Sequence, residues 1–392
     1  MNFRQFAGLV VALTFGFGTA PAPAQQPPIK MGILTELSGS LGATGTAERD
    51  GFLLFLKQSG GKLGGRAVTT VIEDTASDPQ TALSKVQKLV ESDKVDFLLG
   101  PIGSATSAAI KPYVIAQQMP TLIGGTVDEI TDGKYLFRVT FAASADAFLQ
   151  GYLAGHAGHK SAVLIAPNYI AGQSAVEFFE KGFVAAGGHV IAKLLPRLGT
   201  TDFAPYINQI PATADVAIVF EPGTDGVRFM KQYGDFGKKL PLFGFPSTVD
   251  ESSLPAEGKS AEGFIGAASY FSTVRVPENE RFVRDWQATY HNDPAWQGEA
   301  GYLAALVMDQ AIRKQPDVHD RNALLRAMKG VRVRSPAGDV RFDDNNNPIA
   351  ARYIMQIRAT ATGVEPVIFA TLPNFAPEPK PPVFPRNVVF PR

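Results

Sequence analysis

Short apolar runs alternate with longer segments of helical character along most of the chain. Runs with the length and composition of strands occur at 29–37, 67–73, 95–99, 119–123 and 134–140. A second series follows at 161–166, 189–195, 216–220 and 242–245. Strands that alternate with helices in this way form parallel sheets with helices on both faces. The pattern therefore predicts an α/β fold made of two doubly wound, Rossmann-like lobes.

The pattern changes after residue 271. Longer helices are predicted at 277–291, 296–313 and 320–329, and strands at 338–342 and 352–357 flank a polar turn. The final segment, 373–392, is rich in proline, which favours an extended chain that lies on a surface rather than one that builds a core.

Residues 95–126 carry the most informative chemistry. The first strand of this stretch ends in the small-residue loop 100–103, and a helix begins near Ser104, whose hydroxyl then lies beside the free N–H groups of the first turn. The next strand ends in a similar loop, Gly124-Gly125-Thr126. Open α/β sheets bind ligands at the edge where such strands end. A serine here also suits an ordinary N-cap, but the pair of loops favours half of a clamp for a carboxylate.

The first 24 residues have the features of a cleaved secretion signal. Arg4 precedes an apolar core at 6–17, and Ala22-Pro23-Ala24 offers a small-residue cleavage site. This core is shorter than the roughly 20 apolar residues of a membrane span, and no later segment is apolar enough to span a bilayer. We therefore expect a protein that is released in soluble form into the periplasm.

Composition excludes several classes of partner and site. The 392 residues include 37 basic and 37 acidic side chains, for a formal net charge of zero without a basic stripe. Neither nucleic acid nor an anionic membrane is therefore an expected partner. Cysteine is absent, which removes disulfides, thiolate nucleophiles, thiolate metal sites and the lipid-bearing cysteine of a lipoprotein.

Enzyme signatures are incomplete in this chain. The segment 172–176 begins like a nucleophile elbow but lacks its second glycine. His156 and His159 stand three residues apart without a third metal ligand, and the turn at 343–347 is not completed as a calcium loop. No phosphate-binding or dinucleotide fingerprint follows a strand. We predict no catalysis, no metal and no cofactor; an exported α/β hydrolase is an alternative that turnover of an ester or amide would support.

Four segments in order resemble the periplasmic solute-binding proteins of the branched-chain amino-acid ABC transporters, which have the type I periplasmic binding protein fold. They are LTELSGSLGATG at 34–45, IEDTASDPQTA at 72–82, GPIGSATSAA at 100–109 and SPAGDVRFD at 335–343. The resemblance implies two lobes joined by three hinge crossovers, which we expect near Thr140, Phe271 and Asn347. It gives an N-terminal lobe of 28–140 plus 272–347, a C-terminal lobe of 141–271 plus 348–372, and a tail at 373–392.

The resemblance also implies a carboxylate site on the first lobe. The family's carboxylate-binding serine and nearby backbone fall on Gly103 and Ser104, and its second small or hydroxyl pair falls on Gly124 and Thr126. The two hydroxyls and the backbone N–H groups of the two glycines are thus the expected donors to the ligand.

Two second-lobe positions depart from the family pattern. Ala171 stands where many members have a tyrosine, and Ser247 stands nearest the acidic residue that holds the ammonium group of an amino acid. A buried ammonium without a carboxylate is costly, so an α-amino acid should fit badly, although Glu221 or Asp250 could still pair with one. Aromatic residues near loop ends are candidates to line the space that the alanine opens: Phe220, Phe245, Tyr169, Tyr270 and Tyr302.

We therefore expect an extracytoplasmic receptor of an ABC importer that captures a small carboxylate by hinge closure. The expected ligand is an aromatic acid of benzoate or phenylpropenoate type, held at its other end by residues around Ala171, Phe220 and Ser247. The expected partner is a permease in the inner membrane, and the expected state is a monomer. The alternatives are a receptor of the same fold for branched-chain or other amino acids or amides, and a sensor that reports the ligand to a separate signalling partner.

Overall fold

The computed structural model describes residues 27–237, 239–361, 363–385 and 388–391. The predicted secretion signal, residues 1–24, lies outside these ranges. Within them, no helix combines the length and the apolar character that crossing a bilayer requires.

The first sheet has the strand order β2-β3-β1-β4-β5-β6. Its strands are β1 (Ile29–Thr35), β2 (Lys62–Leu63), β3 (Arg66–Asp74), β4 (Phe97–Leu99), β5 (Thr121–Ile123) and β6 (Leu136–Arg138). β1 pairs in parallel with β3 and β4, and β4, β5 and β6 continue in parallel, whereas β2 is antiparallel to β3. The inner strands are short buried apolar runs, as expected for a sheet covered on both faces.

Helices pack around this sheet in one hydrophobic core. They are α1 (Gly42–Gln58), α2 (Pro79–Gln87) with a further π-helical turn (Lys88–Ser92), α3 (Ser104–Ala116), α10 (Trp296–Lys314) and α11 (Arg321–Lys329). Asp followed by Pro is typical of a helix N-cap and first helical position, so the sequence predicts a helix start at Asp78-Pro79. The structure confirms it, because the Asp78 carboxylate accepts the Thr81 N–H at 2.7 Å and Pro79 occupies the first turn of α2.

The second sheet has the order β12-β13-β14-β11-β10-β9-β7-β8, with β15 paired to β14. Its strands are β7 (Ser161–Ile165), β8 (His189–Leu194), β9 (Val216–Val219), β10 (Leu242–Gly244), β11 (Ile265–Ala268), β12 (Arg332–Ser335), β13 (Gly338–Phe342), β14 (Pro348–Ala359) and β15 (Val364–Phe375). The strands from β7 to β11 are parallel, and β14 joins them in antiparallel orientation. The helices associated with this part are α4 (Ala143–His156), α5 (Ile170–Ala185), α6 (Ala204–Ile207), α7 (Thr224–Asp235) and α8 (Leu254–Glu257), and α9 (Pro277–Tyr290) follows β11.

The chain passes between two sets of hydrophobic cores, which we call the first and the second lobe. Val139 packs in the first core and Ala142 in the second. The chain returns to the first lobe after β11. It crosses to the second lobe again within β14, where Ala350 belongs to the first core and Ile354 to the second. The predicted α/β fold of two doubly wound lobes is confirmed, while the lobe boundaries given above stay predictions.

The C-terminal segment begins later than its proline content suggests. β15 continues to Phe375 and so includes the first residues of the predicted tail. The register between β14 and β15 shifts opposite Pro373, between the pairs Leu372–Arg352 and Phe375–Ala350. A proline is tolerated there because a bulge on an edge strand needs no ladder N–H at that position.

Candidate functional site

The loops after β4 and β5 bring together the two hydroxyl side chains that the sequence singles out. Ser104 Oγ lies 3.3 Å from Thr126 Oγ1 and accepts the backbone N–H of Thr126 at 3.1 Å. Both residues are half-buried. The N-cap of α3 is Gly103 rather than Ser104, so the serine hydroxyl is not used to cap its own helix. The two side chains form one polar point on the first lobe, which we call the hydroxyl pair.

The backbone N–H of Gly103, which the sequence predicts as a donor to the ligand, donates to a carboxylate of the protein itself. Glu36, buried directly after β1, accepts the N–H groups of Ile102 and Gly103 at 3.2 and 3.3 Å. Its second oxygen accepts the Thr106 hydroxyl at 2.5 Å. A Cβ at Gly103 would lie 2.6 Å from Glu36 Oε1. Gly103 therefore makes room for Glu36, and its N–H already has an acceptor within the protein; a role of this N–H as a ligand donor stays a prediction.

The amide of Gly124 is also committed within the protein. Its N–H donates to the carbonyl oxygen of Pro101 at 3.0 Å. A Cβ on Gly124 would lie 2.7 Å from both Ile102 Cα and Glu48 Oε1, so the glycine is required by close packing beneath the loop. The ligand-donor role predicted for this N–H likewise stays a prediction.

Glu48 places a second carboxyl group under the same loops. It projects from α1, and its Oε2 accepts the Thr35 hydroxyl at 2.8 Å. Burial raises its pKa to about 8, the Thr35 hydrogen bond opposes that rise, and the nearby Glu36 carboxylate adds to it. Glu48 therefore holds a proton near pH 7 and adds no negative charge beneath the hydroxyl pair.

The donors left on the first lobe are the hydroxyl pair and the first turn of α3. The first N–H groups of a helix have no acceptor inside the helix, and the Gly103 cap supplies no side chain. The N–H groups of Ser104 and Ala105 lie beside the hydroxyl pair in this turn. The arrangement suits a partly negative group on a ligand, as the sequence predicts, but through a different set of donors.

A small pocket between the lobes is walled by aromatic rings. Its lining includes Phe141 from the first crossing, Phe245 and Ser247 after β10, Ser269 after β11, and Trp296 at the start of α10. The ring centroids of Phe141 lie 6.0 Å from Phe245 and 5.5 Å from Trp296. The pocket volume is about 20 Å³, which is room for about one water molecule. Its walls are apolar apart from a few polar groups, as is usual for small-molecule sites.

The first crossing links the hydroxyl pair to this pocket. The N–H of Ala143, at the start of α4, donates to the carbonyl oxygen of Thr126 at 2.8 Å, and the Thr140 hydroxyl donates to the carbonyl of Gly124 at 2.9 Å. Phe141, which lines the pocket, lies between these two contacts. The guanidinium of Arg138 adds hydrogen bonds to the carbonyls of Gly125 and Phe141, at 2.6 and 3.3 Å. The first crossing therefore connects the hydroxyl pair to the wall of the pocket, and we treat the two as one candidate site.

Comparisons with known proteins identify the family. A family model described as "Periplasmic binding protein" matches residues 28–362. The chain belongs to the periplasmic binding protein family.

Individual relatives of this periplasmic binding protein cover most of its length. It is similar to an ABC transporter substrate-binding protein from Sphaerobacter thermophilus, with 31% identity and a TM-score of 0.85 over 90% of this chain and 100% of that one. It is similar to a solute-binding protein of an ABC transporter from R. palustris, solved in complex with benzoate, with 26% identity and a TM-score of 0.82 over 93% of this chain and 99% of that one. Among curated proteins it is similar to Leu/Ile/Val-binding protein homolog 6 of Brucella melitensis, with 26% identity over 88% of this chain and 91% of that protein.

The second-lobe residues predicted for this periplasmic binding protein are only partly gathered at the pocket. Ser247 lines it, in a short 3₁₀ turn (Pro246–Thr248). Phe220 reaches it through Phe245, whose ring centroid lies 5.2 Å away. Ala171 lies at the second position of α5, half-buried, and is not among the lining residues. Its predicted contact with the ligand stays a prediction.

Two aromatic candidates pack beside the pocket rather than in its wall. Tyr270 and Tyr302 pack with Phe282, at ring distances of 6.1 and 4.8 Å from it, in a cluster against which Trp296 also packs. The Tyr302 hydroxyl donates to Gln58 at 2.6 Å. Neither tyrosine is among the residues that line the pocket, and their contact with a ligand stays a prediction.

The sequence-based prediction missed Phe141 and Trp296. Phe141 follows directly on the crossover predicted near Thr140, and a residue on a hinge between two lobes has access to the space between them. Trp296 opens α10, and its Nε1 is buried without a hydrogen-bond partner in the described residues. Proximity to a predicted hinge could have found the phenylalanine. The tryptophan carries no comparable sequence signal, since its helix belongs to a distant part of the chain.

The carboxyl group that lines the pocket is already neutralised. Asp146 of α4 accepts Nε and Nη2 of Arg352 at 2.6 and 2.9 Å, and both side chains are buried. Asp250, considered above as a partner for an ammonium, accepts Ser252 Oγ and, at 3.4 Å, Nε2 of Gln297. Burial raises the pKa of Asp250, although these hydrogen bonds oppose the rise.

Proposed function

We propose that this periplasmic binding protein is the extracytoplasmic receptor of an ABC importer and captures an aromatic carboxylate between its lobes. The observation that carries the proposal is the junction of the hydroxyl pair, Ser104 and Thr126, with a pocket walled by Phe141, Phe245 and Trp296. One end of that site offers hydrogen-bond donors and the other offers aromatic rings.

The donor end favours a carboxylate. Two hydroxyls and the first turn of α3 converge there, and an anion at a helix N-terminus is stabilised by the exposed N–H groups and the helix dipole. The carboxyl group of Glu48, which lies beneath this end of the site, is neutral near pH 7 because burial raises its pKa to about 8. The negative charge of Glu36 is spread over three donors of its own.

The ring end favours an aromatic body. Aromatic pairs gain most in offset or edge-to-face geometry, and Trp296 and Phe220 already stand edge-on to Phe141 and Phe245, at interplanar angles of 68 and 69°. A flat ring between such walls would bury its surface completely once the lobes close. The benzoate complex of the R. palustris relative supports the same ligand class.

Capture requires that the lobes separate and close. The pocket volume of about 20 Å³ is too small for a benzoate ring, so a ligand enters an opened cleft and the lobes then close over it. Closure excludes water from the carboxylate, which strengthens its hydrogen bonds. Delivery to an inner-membrane permease from the periplasm, by a monomer, completes the proposed cycle.

A receptor for branched-chain amino acids is the second candidate, favoured by the name of the Brucella melitensis relative. It needs an ionised carboxylate for the ammonium group. Asp146 is already paired with Arg352, and burial disfavours the ionised form of Asp250 by raising its pKa. This is the physical reason for ranking aromatic acids first.

Calorimetry and thermal unfolding with a ligand panel test the proposal. The panel is benzoate, cinnamate, hexanoate, L-leucine and L-valine, each with the full-length exported protein. We expect benzoate or cinnamate to bind at micromolar concentration or below and to raise the melting temperature, since a ligand that binds only the folded state stabilises it. If only leucine or valine raises the melting temperature, the ligand is an amino acid and the proposal of an aromatic acid is wrong. Hexanoate separates a requirement for the ring from a requirement for the carboxylate.

A further inference from the structure

Glu221 is a buried acidic side chain at the centre of the second lobe's ligand-facing edge. It follows Phe220 directly after β9, and β9 lies between β7 and β10 in the sheet. Its backbone N–H donates to Thr248 Oγ1 at 3.1 Å, in the same short turn as the pocket residue Ser247. Glu221 is therefore tied to the wall of the pocket, on the lobe opposite the hydroxyl pair.

The carboxyl group of Glu221 has no partner in the described parts of the chain. The residue is 0% exposed, and neither Oε1 nor Oε2 makes a hydrogen bond. Buried side-chain oxygens are almost always paired in folded proteins. An orphaned carboxyl at a ligand-facing edge is best explained by a partner that arrives with the ligand.

The groups around Glu221 leave it uncharged. From α7 it faces Asp225, whose oxygens accept the N–H of Gly199 at 2.6 Å and Arg228 at 3.1 Å. From the loop after β7 it faces Tyr169, and burial, with added repulsion from Glu221 and Asp225, raises the pKa of that phenol to about 12. Burial, with added repulsion from Asp225, raises the pKa of Glu221 to about 9. Glu221 thus offers one O–H donor and carbonyl-type acceptors.

Resting on the function proposed above, we propose that Glu221, as a neutral acid, hydrogen-bonds a hydroxyl group at the end of the ligand remote from its carboxylate. The preferred ligands are then hydroxy-substituted aromatic acids rather than unsubstituted ones. A phenolic hydroxyl fits because it can accept from the carboxyl O–H and donate to its carbonyl oxygen. The phenol of Tyr169, on the same lobe and within the electrostatic influence of Glu221, offers a second hydrogen bond.

The selectivity between ligands is the measurement that tests this assignment. Calorimetric Kd values are measured for benzoate, 3-hydroxybenzoate, 4-hydroxybenzoate and L-leucine, with the full-length protein and the variants Glu221→Gln and Glu221→Leu. We expect the wild type to bind one hydroxybenzoate about tenfold more tightly than benzoate, as one well-made hydrogen bond in a dry site allows. The ratio should stay within about threefold in Glu221→Gln, a neutral isostere, and fall to about one in Glu221→Leu.

The possible results separate this inference from the proposed function. If benzoates bind but the ratio is the same in the wild type and Glu221→Leu, Glu221 does not contact the hydroxyl and the inference fails alone. If L-leucine binds and Glu221→Gln abolishes that binding, Glu221 is an ionised partner for an ammonium, and both proposals fail. If no benzoate binds to the wild type or to either variant, the proposed function is wrong, and this inference, which rests on it, is wrong as well.

Discussion

The hydroxyl pair provides the sharpest test at the scale of single residues. Thr126→Val keeps the shape of the side chain and removes the hydroxyl that lies 3.3 Å from Ser104 Oγ. We expect its affinity for benzoate to fall about tenfold, because a hydrogen bond to a charged group is lost. Thr126→Ser keeps the hydroxyl, loses only a methyl group, and should stay within about threefold of the wild type. Calorimetry measures both, and equal losses in the two variants would show that the hydroxyl does not bind ligand.

Residue-level prediction from the sequence succeeded where the partners are close along the chain. Ser104 and Thr126 were paired because each follows a strand of the same sheet, and the two hydroxyls do meet. The acceptors that the amides of Gly103 and Gly124 have within the protein come from packing that no local pattern records. Glu36 is separated from Gly103 by 67 residues along the chain. A buried carboxylate facing a helix start can be recognised only when the fold is known.

At the scale of elements, buried apolar runs in the sequence locate the strands, whereas the start of a helix can be located only where a capping residue marks it. The start of α2 was predicted to the residue because Asp78 and Pro79 are local signals. α1 begins at Gly42, and the side chain of the preceding residue, Leu41, makes no capping hydrogen bond that would mark this start in the sequence. β15 was not predicted, and its continuation past Pro373 depends on a register shift between the pairs Leu372–Arg352 and Phe375–Ala350 that no local pattern records.

Helix α1 also makes a prediction about pH, through the carboxyl that it buries. Burial raises the pKa of Glu48 from its ordinary value of 4.5 to about 8. Between these values the unfolded chain loses this proton and the folded chain keeps it, so stability falls as pH rises and levels off above about pH 8. Glu48 should contribute up to about 1.4 kcal/mol of that fall per pH unit.

The test compares urea unfolding at pH 5.5, 6.5 and 7.5 in three proteins. The free energy of unfolding of the wild type should decrease across this range, and Glu48→Gln should decrease less steeply because a neutral amide has no proton to lose. Glu129→Gln, at an exposed carboxylate of the same lobe, is the matched control and should keep the wild-type slope. Parallel lines for the wild type and Glu48→Gln would contradict the assignment of a protonated Glu48.

At the scale of the whole molecule, the two-lobed fold was predictable and the composition of the cleft was not. The repeated alternation of strands and helices in the sequence predicts two doubly wound sheets, and the structure contains both. The pocket, in contrast, combines Phe141, Phe245 and Trp296, which come from a crossing, a strand end and a helix start far apart in sequence. Such a set depends on how the lobes meet, which is a property of the assembled molecule alone.

Closure of the lobes around a ligand should be visible in the protein's own fluorescence. The chain contains two tryptophans: Trp296 lines the pocket, whereas Trp286 does not. Trp286 is buried in the cluster against which Trp296 also packs, and its Nε1 donates to Asn292 at 2.8 Å. A ligand ring placed against Trp296 changes the polarity around that indole directly. We therefore expect benzoate to shift or quench the emission of the wild type and of Trp286→Phe, and to leave the emission of Trp296→Phe unchanged. Calorimetry on the same samples establishes which of them bind ligand. A fluorescence change that persists in Trp296→Phe and disappears in Trp286→Phe would move the site away from the space between the lobes.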